Sequence, residues 1–355
     1  MANFISINSI IENTFRDQSL WNIYNSETLP KIDIFTPEGC RDFINIFMKV
    51  SKKRGENFKS EVLEHLDDDR VQHIVSVFFL GLGIYNTNDY IKSLIDKEFL
   101  EFKREEGVEN AFDDTMNFAY IWFLISLFHD LGYPIENGDL QFDIDYILKY
   151  GLYKLEKISF VPDFYSLKLG LSYDEYIKAN DNLPKNKHDH GVCGGIKMYD
   201  SLCYIRNSSC NEESDAIEKE LWKPELDKIF KFVSWIVFCH NMFFVDQNDT
   251  QGSSIYRKYN LQKLIKEPGE YKIKLHDYPL FVFFVLIDSI EPVKKTKDFK
   301  LLDYILLQSG DDKIIIESKL DTKEIRFYNE YINRLNSWFT RVTSEDGYII
   351  LHLCS

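Results

Sequence analysis

Four histidines and two aspartates, His73, His129, Asp130, His190, His240 and Asp288, stand in or beside the most apolar stretches of this sequence. The run from Trp122 to Phe128 has Ser126 as its one polar side chain, and it delivers His129 and Asp130 side by side. Buried charge survives when it is paired or coordinates a metal. Any one of these histidines has an ordinary explanation, a hydrogen bond to a nearby carbonyl. Taken together they require several separately satisfied buried groups, whereas one shared site satisfies them all. Imidazole nitrogen and carboxylate oxygen suit a divalent cation. Six ligands exceed the four of a closed structural zinc site and fit two cations bridged by a carboxylate. Such a pair keeps open positions for water and substrate, generates a hydroxide near neutral pH and clamps an in-line displacement at phosphorus. Asp130, held beside His129, is the expected bridge.

Helices must carry these groups. An acidic turn, Asp67-Asp68-Asp69, suits a helix N-terminus and leads into the apolar run from Val71 to Tyr85, which contains His73. A central helix is expected over about Met116 to Asp130, stopped by Gly132 and Pro134. Further helices are expected to open at His188 ahead of His190, to span about Leu226 to Val245 around His240, and to run from Pro279 past Asp288 to Pro292. Phe43, Ile44, Phe47 and Met48 mark a helix face near the N-terminus, and residues 141–180 carry an amphipathic pattern. After Lys300 the pattern changes. Short strands are expected at Tyr304–Leu307, Lys313–Glu317 and Tyr348–His352, the first two joined at Ser309-Gly-Asp-Asp312, with a helix over Arg326–Thr343. The expected fold class is therefore mainly α, with a small C-terminal α+β appendage. Its parts would be a helical extension over 1–60, a metal-binding helical domain over 61–300 and the appendage over 301–355.

A chain of 355 residues with 45% hydrophobic and 15% aromatic content can bury a large core and is not low-complexity. Its formal charge of −15 disfavours duplex nucleic acid, whose nonspecific binding rests on Lys and Arg. A small anion stays compatible, because a metal makes its own positive field. The first residues lack a basic segment and a cleavage pattern, and the apolar runs are too short to span a bilayer, so a cytoplasmic protein with no membrane partner is expected. The six cysteines contain no Cys-x-x-Cys pair, which fits free thiols in a reducing compartment.

The ordered series His73, His129-Asp130, His190, His240, Asp288 resembles the HD superfamily of metal-dependent phosphohydrolases. Local wording agrees: Arg70-x-x-His73, the apolar run into His129-Asp130-Leu-Gly132, His190-Gly191 with Gly194-Gly195 beyond it, and Leu286-Ile-Asp288. The resemblance covers about residues 62–292. It implies an HD-type helical bundle in which His73, His129, Asp130 and Asp288 bind one metal, while His190 and His240 add the second of a binuclear member. Tyr133 stands where a lysine often follows the doublet glycine, and Asn241 follows His240 where some branches have a second histidine.

The resemblance implies a phosphohydrolase or phosphodiesterase using one or two divalent ions (manganese, iron, magnesium, zinc or nickel). A metal-bridging hydroxide would attack a small anionic, nucleotide-like substrate, and a homo-oligomer is compatible with the sequence. Arg70, one turn before His73, could reach a phosphate or pair with Asp67 or Asp68. Lys197 returns to the His190 face two turns on, and Lys294 opens a local basic patch, so both are candidate anion contacts. Glu136 lies close enough after the doublet to act as a general base or a partner to a ligand. Two other readings fit the same residues: a di-iron HD-type oxygenase, and a non-catalytic nucleotide-sensing module.

Overall fold

The computed structural model describes residues 4–6, 11–13, 33–48, 62–108, 118–136, 190–207, 226–241, 274–291, 305–310, 313–317, 342–345 and 348–353, with isolated positions at 9, 56, 58, 59, 222, 329, 333, 335 and 336. In chain order the elements are β1 (Phe4–Ser6), α1 (Pro37–Met48), α2 (Asp68–Thr87), α3 (Asp89–Glu106), α4 (Phe118–Phe128), the single turn α5 (Tyr133–Glu136), α6 (His190–Asn207), α7 (Asp227–Cys239), α8 (Pro279–Ile290), β2 (Ile305–Gly310), β3 (Lys313–Glu317), β4 (Val342–Glu345) and β5 (Tyr348–His352). The fold is mainly α with a small sheet, as the sequence pattern predicts.

Local chemistry sets the helix boundaries. Asp67 caps α2 by accepting the Arg70 amide at 2.9 Å, with Asp68 and Asp69 in the first turn to meet the dipole. Asn88 ends α2 and caps α3, accepting the Ile91 amide at 2.8 Å. Gly107 closes α3 in the left-handed region, with φ 65°. Pro279 opens α8, and Glu98 of α3 reaches across to accept the Leu280 amide at 2.8 Å.

The helices around the doublet are buried on every side. All residues of α4 and α8 are buried, and α2 is buried from Val71 to Tyr85 apart from Gln72. In α2, Gly81 lets the Trp122 ring lie against the backbone. A Cβ there would come within 2.1 Å of that ring, whose Nε1 donates to the Val77 and Phe78 carbonyls at 3.3 and 3.1 Å. Phe43 and Phe47 of α1 pack on the same layer, the Phe47 and Phe123 rings being 4.1 Å apart and the Phe43 and Phe79 rings 5.2 Å apart. Helix α7 packs against α4 and α6, and α8 against α2 and α3. A buried Phe or Leu contributes roughly 1.5–3 kcal/mol, so this apolar shell can offset several buried polar groups.

The sheet is antiparallel throughout, in the order β1-β2-β3-β5-β4. It differs from the expected three strands at both margins. Phe4–Ser6, in a stretch read as helical, pairs with Ile305–Leu307. Val342–Glu345, where the expected 326–343 helix runs out, pairs with β5. The register of Glu345 with Tyr348 leaves Asp346-Gly347 between them, a pair that favours two-residue hairpins. Strand β2 also runs on through Ser309 and Gly310, with a register irregularity after Leu307. The amphipathic pattern over 141–180 lies outside the described residues.

Candidate metal centre

Five helix ends converge on one buried point. His73 comes from the second turn of α2, and His129 and Asp130 directly follow α4. His190 is the first residue of α6, His240 caps the C-terminus of α7, and Asp288 lies near the end of α8. Helix α7 stops at Cys239, short of the expected Val245, so His240 sits at a helix end rather than within one. His73, His129 and Asp130 have no exposed surface, and His190, His240 and Asp288 are 7%, 1% and 6% exposed.

Close backbone contact brings α6 to the doublet. A Cβ on Gly132 would lie 1.9 Å from the His190 carbonyl oxygen and 2.8 Å from the Gly194 nitrogen, so only glycine fits this crossing. A Cβ on Gly194 would in turn meet the Phe128 and His129 carbonyls at 3.1 and 3.3 Å. Gly132 and Gly194 are therefore packing requirements of the site.

Two three-residue groups have ligand atoms all within 4.8 Å of one another: His73, His129 and Asp130, then Asp130, His190 and His240. Asp130 belongs to both. Asp288 joins the first, with Oδ1 3.1 Å from His73 Nε2 and 3.4 Å from His129 Nε2. Asp130 Oδ1 lies 3.3 Å from His129 Nε2 and 4.0 Å from His190 Nε2, while Oδ2 lies 3.9 Å from His73 Nε2.

The hydrogen bonds assign the protons. A carbonyl only accepts, so His129 Nδ1 donates to the Ser126 carbonyl at 2.7 Å and His240 Nδ1 to the Val237 carbonyl at 2.6 Å. His73 Nδ1 faces the Glu291 carboxylate at 2.5 Å. In the neutral form each ring then presents its lone pair on Nε2. Burial, reinforced by neighbouring His190, pushes the His240 imidazole down to about 3, which keeps it neutral and competent to ligate. His240 Nε2 is buried with no hydrogen-bond partner among the described residues.

These observations test the fit to a cation. His73 Nε2 and His129 Nε2 lie 3.0 Å apart, and two lone pairs at that separation call for positive charge between them. Two nitrogens bound to one cation at about 2.1 Å, near a right angle, lie about 3 Å apart. Asp130 and Asp288 place two buried carboxylates around the same point, 0% and 6% exposed, and each burial costs several kcal/mol unless compensated. The donor set fits a divalent ion, and its division into two groups sharing a carboxylate fits a pair.

Arg70 makes the ion pair with Asp67 and also faces the cluster. Its Nε pairs with Asp67 at 3.1 Å, and Nη1 reaches Asp130 Oδ2 at 3.5 Å. The guanidinium also stacks 3.9 Å over the Tyr133 ring, whose other neighbour is the His190 ring at 3.6 Å and 19°. Lys197 is buried on α6, two turns past His190. The side chain of Glu136 and the whole of Lys294 lie outside the described residues.

Sequence reading assigned no role to Glu291, Ser76, Tyr133 or Asn241. Asn241 Nδ2 lies 2.7 Å from His190 Nε2 and 3.1 Å from Nδ1. Glu291 carried a usable signal, an acid one helical turn beyond Asp288 on an otherwise apolar helix. The other three had none beyond adjacency to a ligand or its turn.

No protein-family model matches the sequence, and comparison with curated proteins and with solved structures returns no match. The buried His/Asp cluster is compatible with an HD-type site and can hold a metal ion. Among the described residues, no helix is long and apolar enough to cross a membrane.

Proposed function

We propose that this protein is an HD-type phosphohydrolase or phosphodiesterase, dependent on divalent metal and acting on a nucleotide or nucleotide-derived anion in the cytoplasm. The observation that carries this reading is the pair of three-residue ligand groups sharing Asp130. Divalent ions held there would lower the pKa of coordinated water towards neutrality and polarise phosphoryl oxygens. The protein's own groups supply the rest. His73, His129, Asp130 and Asp288 would hold one ion, and Asp130, His190 and His240 the other. Arg70, with a planar fork suited to phosphate and an Nη1 already 3.5 Å from Asp130, would take a phosphoryl oxygen. Phe284, 5.4 Å from the His129 ring and 5.8 Å from the His240 ring, walls the cluster from water. Lys197 and Lys294 are assigned to the remaining substrate charge, and Glu136 to a general-base or ligand-orienting role.

The test combines metal analysis with turnover. Protein purified without chelator is expected to carry about two transition-metal ions per chain and to release phosphate or cleave a phosphodiester in a nucleotide screen with manganese. Two irons with oxygen-dependent consumption of an organic substrate would favour the oxygenase reading instead. Nucleotide binding without turnover, on a chain that takes up no metal, would make it a sensing module and end the hydrolase reading.

A further inference from the structure

One buried carboxylate outside the ligand set touches a ligand. Glu291 directly follows α8, three residues after Asp288, and has no exposed surface. Its Oε2 lies 2.5 Å from His73 Nδ1, and its Oε1 accepts the hydroxyl of Ser76, which stands one turn after His73 on α2. Both oxygens are therefore engaged by the same face of a different helix. A carboxylate costs several kcal/mol to bury unless its partners compensate.

We infer that Glu291 is the positioning residue of His73. Its carboxylate accepts the hydrogen bond from Nδ1–H and thereby aims the Nε2 lone pair at the point shared by His129 and Asp288. The inference rests on the metal reading above. The contrast with the neighbouring ligands supports it. His129 and His240 are oriented by carbonyls three residues back, Ser126 and Val237, which come free with the local backbone. His73 is oriented by a side chain from another helix. Ser76 holds the second oxygen, so the carboxylate cannot rotate away from the ring. Helix α8 thus contributes twice, with Asp288 at the cluster and Glu291 behind His73. A carboxylate behind a ligating imidazole fixes its tautomer and raises its basicity.

The experiment is a manganese titration of the chelator-stripped full chain, read by calorimetry, with the thermal melt of the stripped protein alongside. Glu291→Gln keeps the volume and is expected to weaken the tighter manganese site by about 10–100-fold. Ser76→Ala is expected to weaken it by about 2–10-fold, the effect of one hydrogen bond. Nitrogen-15 NMR of the stripped protein gives a readout without metal: His73 is expected as the Nδ1–H form in the wild type, and that form is expected to lose population in Glu291→Gln. Unchanged manganese affinity in a folded Glu291→Gln protein overturns the inference while leaving the metal site standing. If Glu291→Gln does not fold, Ser76→Ala decides by the same criterion. A wild-type chain that binds no manganese overturns the metal reading and this inference with it.

Discussion

The two halves of the cluster share Asp130 and are otherwise built differently. In the first half, His73, His129 and Asp288 meet with nitrogen and oxygen atoms 3.0–3.4 Å apart, and a buried carboxylate from another helix stands behind His73. In the second, His190 Nε2 is 4.0 Å from Asp130 and lies within 2.7 Å of the Asn241 amide. Its ring also stacks on Tyr133, and His240 keeps an unsatisfied Nε2. The first half is preorganised. The second has its histidine engaged by neighbours that a cation would have to displace. Two carboxylate ligands against one add to the same difference.

Breaking the shared residue should have the largest effect. Asp130→Ala is expected to abolish phosphoryl turnover and to lower metal content by more than one ion per chain, measured by elemental mass spectrometry. Full activity in that variant would remove the bridge from the scheme. His240→Ala separates the halves. It is expected to lose one ion, the weaker one in a manganese titration, while the tighter site remains. Unchanged metal content and turnover would make His240 a core histidine and the site mononuclear.

His240 also predicts a pH effect on the stripped protein. The unfolded chain binds a proton near 6.5, while the folded chain refuses it down to about 3. Stability from this group is therefore present above pH 6.5 and is lost as pH falls through that window. The melting temperature of wild type should drop between pH 7 and pH 5 more than that of His240→Ala. Gly132→Ala is the smallest of these changes on paper. Its Cβ would sit 1.9 Å from the His190 carbonyl, so α6 must move, at a cost of about 1–3 kcal/mol. The expected result is a melt lower by roughly 2–10 °C and a weaker second ion with the first nearly unaffected.

Much of this was legible in the sequence, for physical reasons. Ligands on core helices contrast sharply with their surroundings, so His73, Asp130 and Asp288 could be seen against Phe, Leu, Ile and Val. The partners that orient them could not. Ser126 and Val237 act through backbone carbonyls that every residue has. Asn241 and Tyr133 act through ring contacts that depend on how α6 meets the doublet turn. The helical class was legible because whole faces of α2, α4 and α8 are apolar. The short strands were harder: Phe4–Ser6 is only three residues and finds its partner far along the chain, whereas β4 was announced by Asp346-Gly347 and lay under a competing helical pattern.

That N-terminal strand has a consequence in time. Phe4 pairs with Leu307, so at a synthesis rate of about 5–20 residues per second its partner emerges on the order of 15–60 s later. Helices α1 to α8 are on the growing chain before then, and β2 can pair with β3 only after that. Strand β1 thus joins the edge of the sheet only once β2 has been made, with β3, β4 and β5 still to follow.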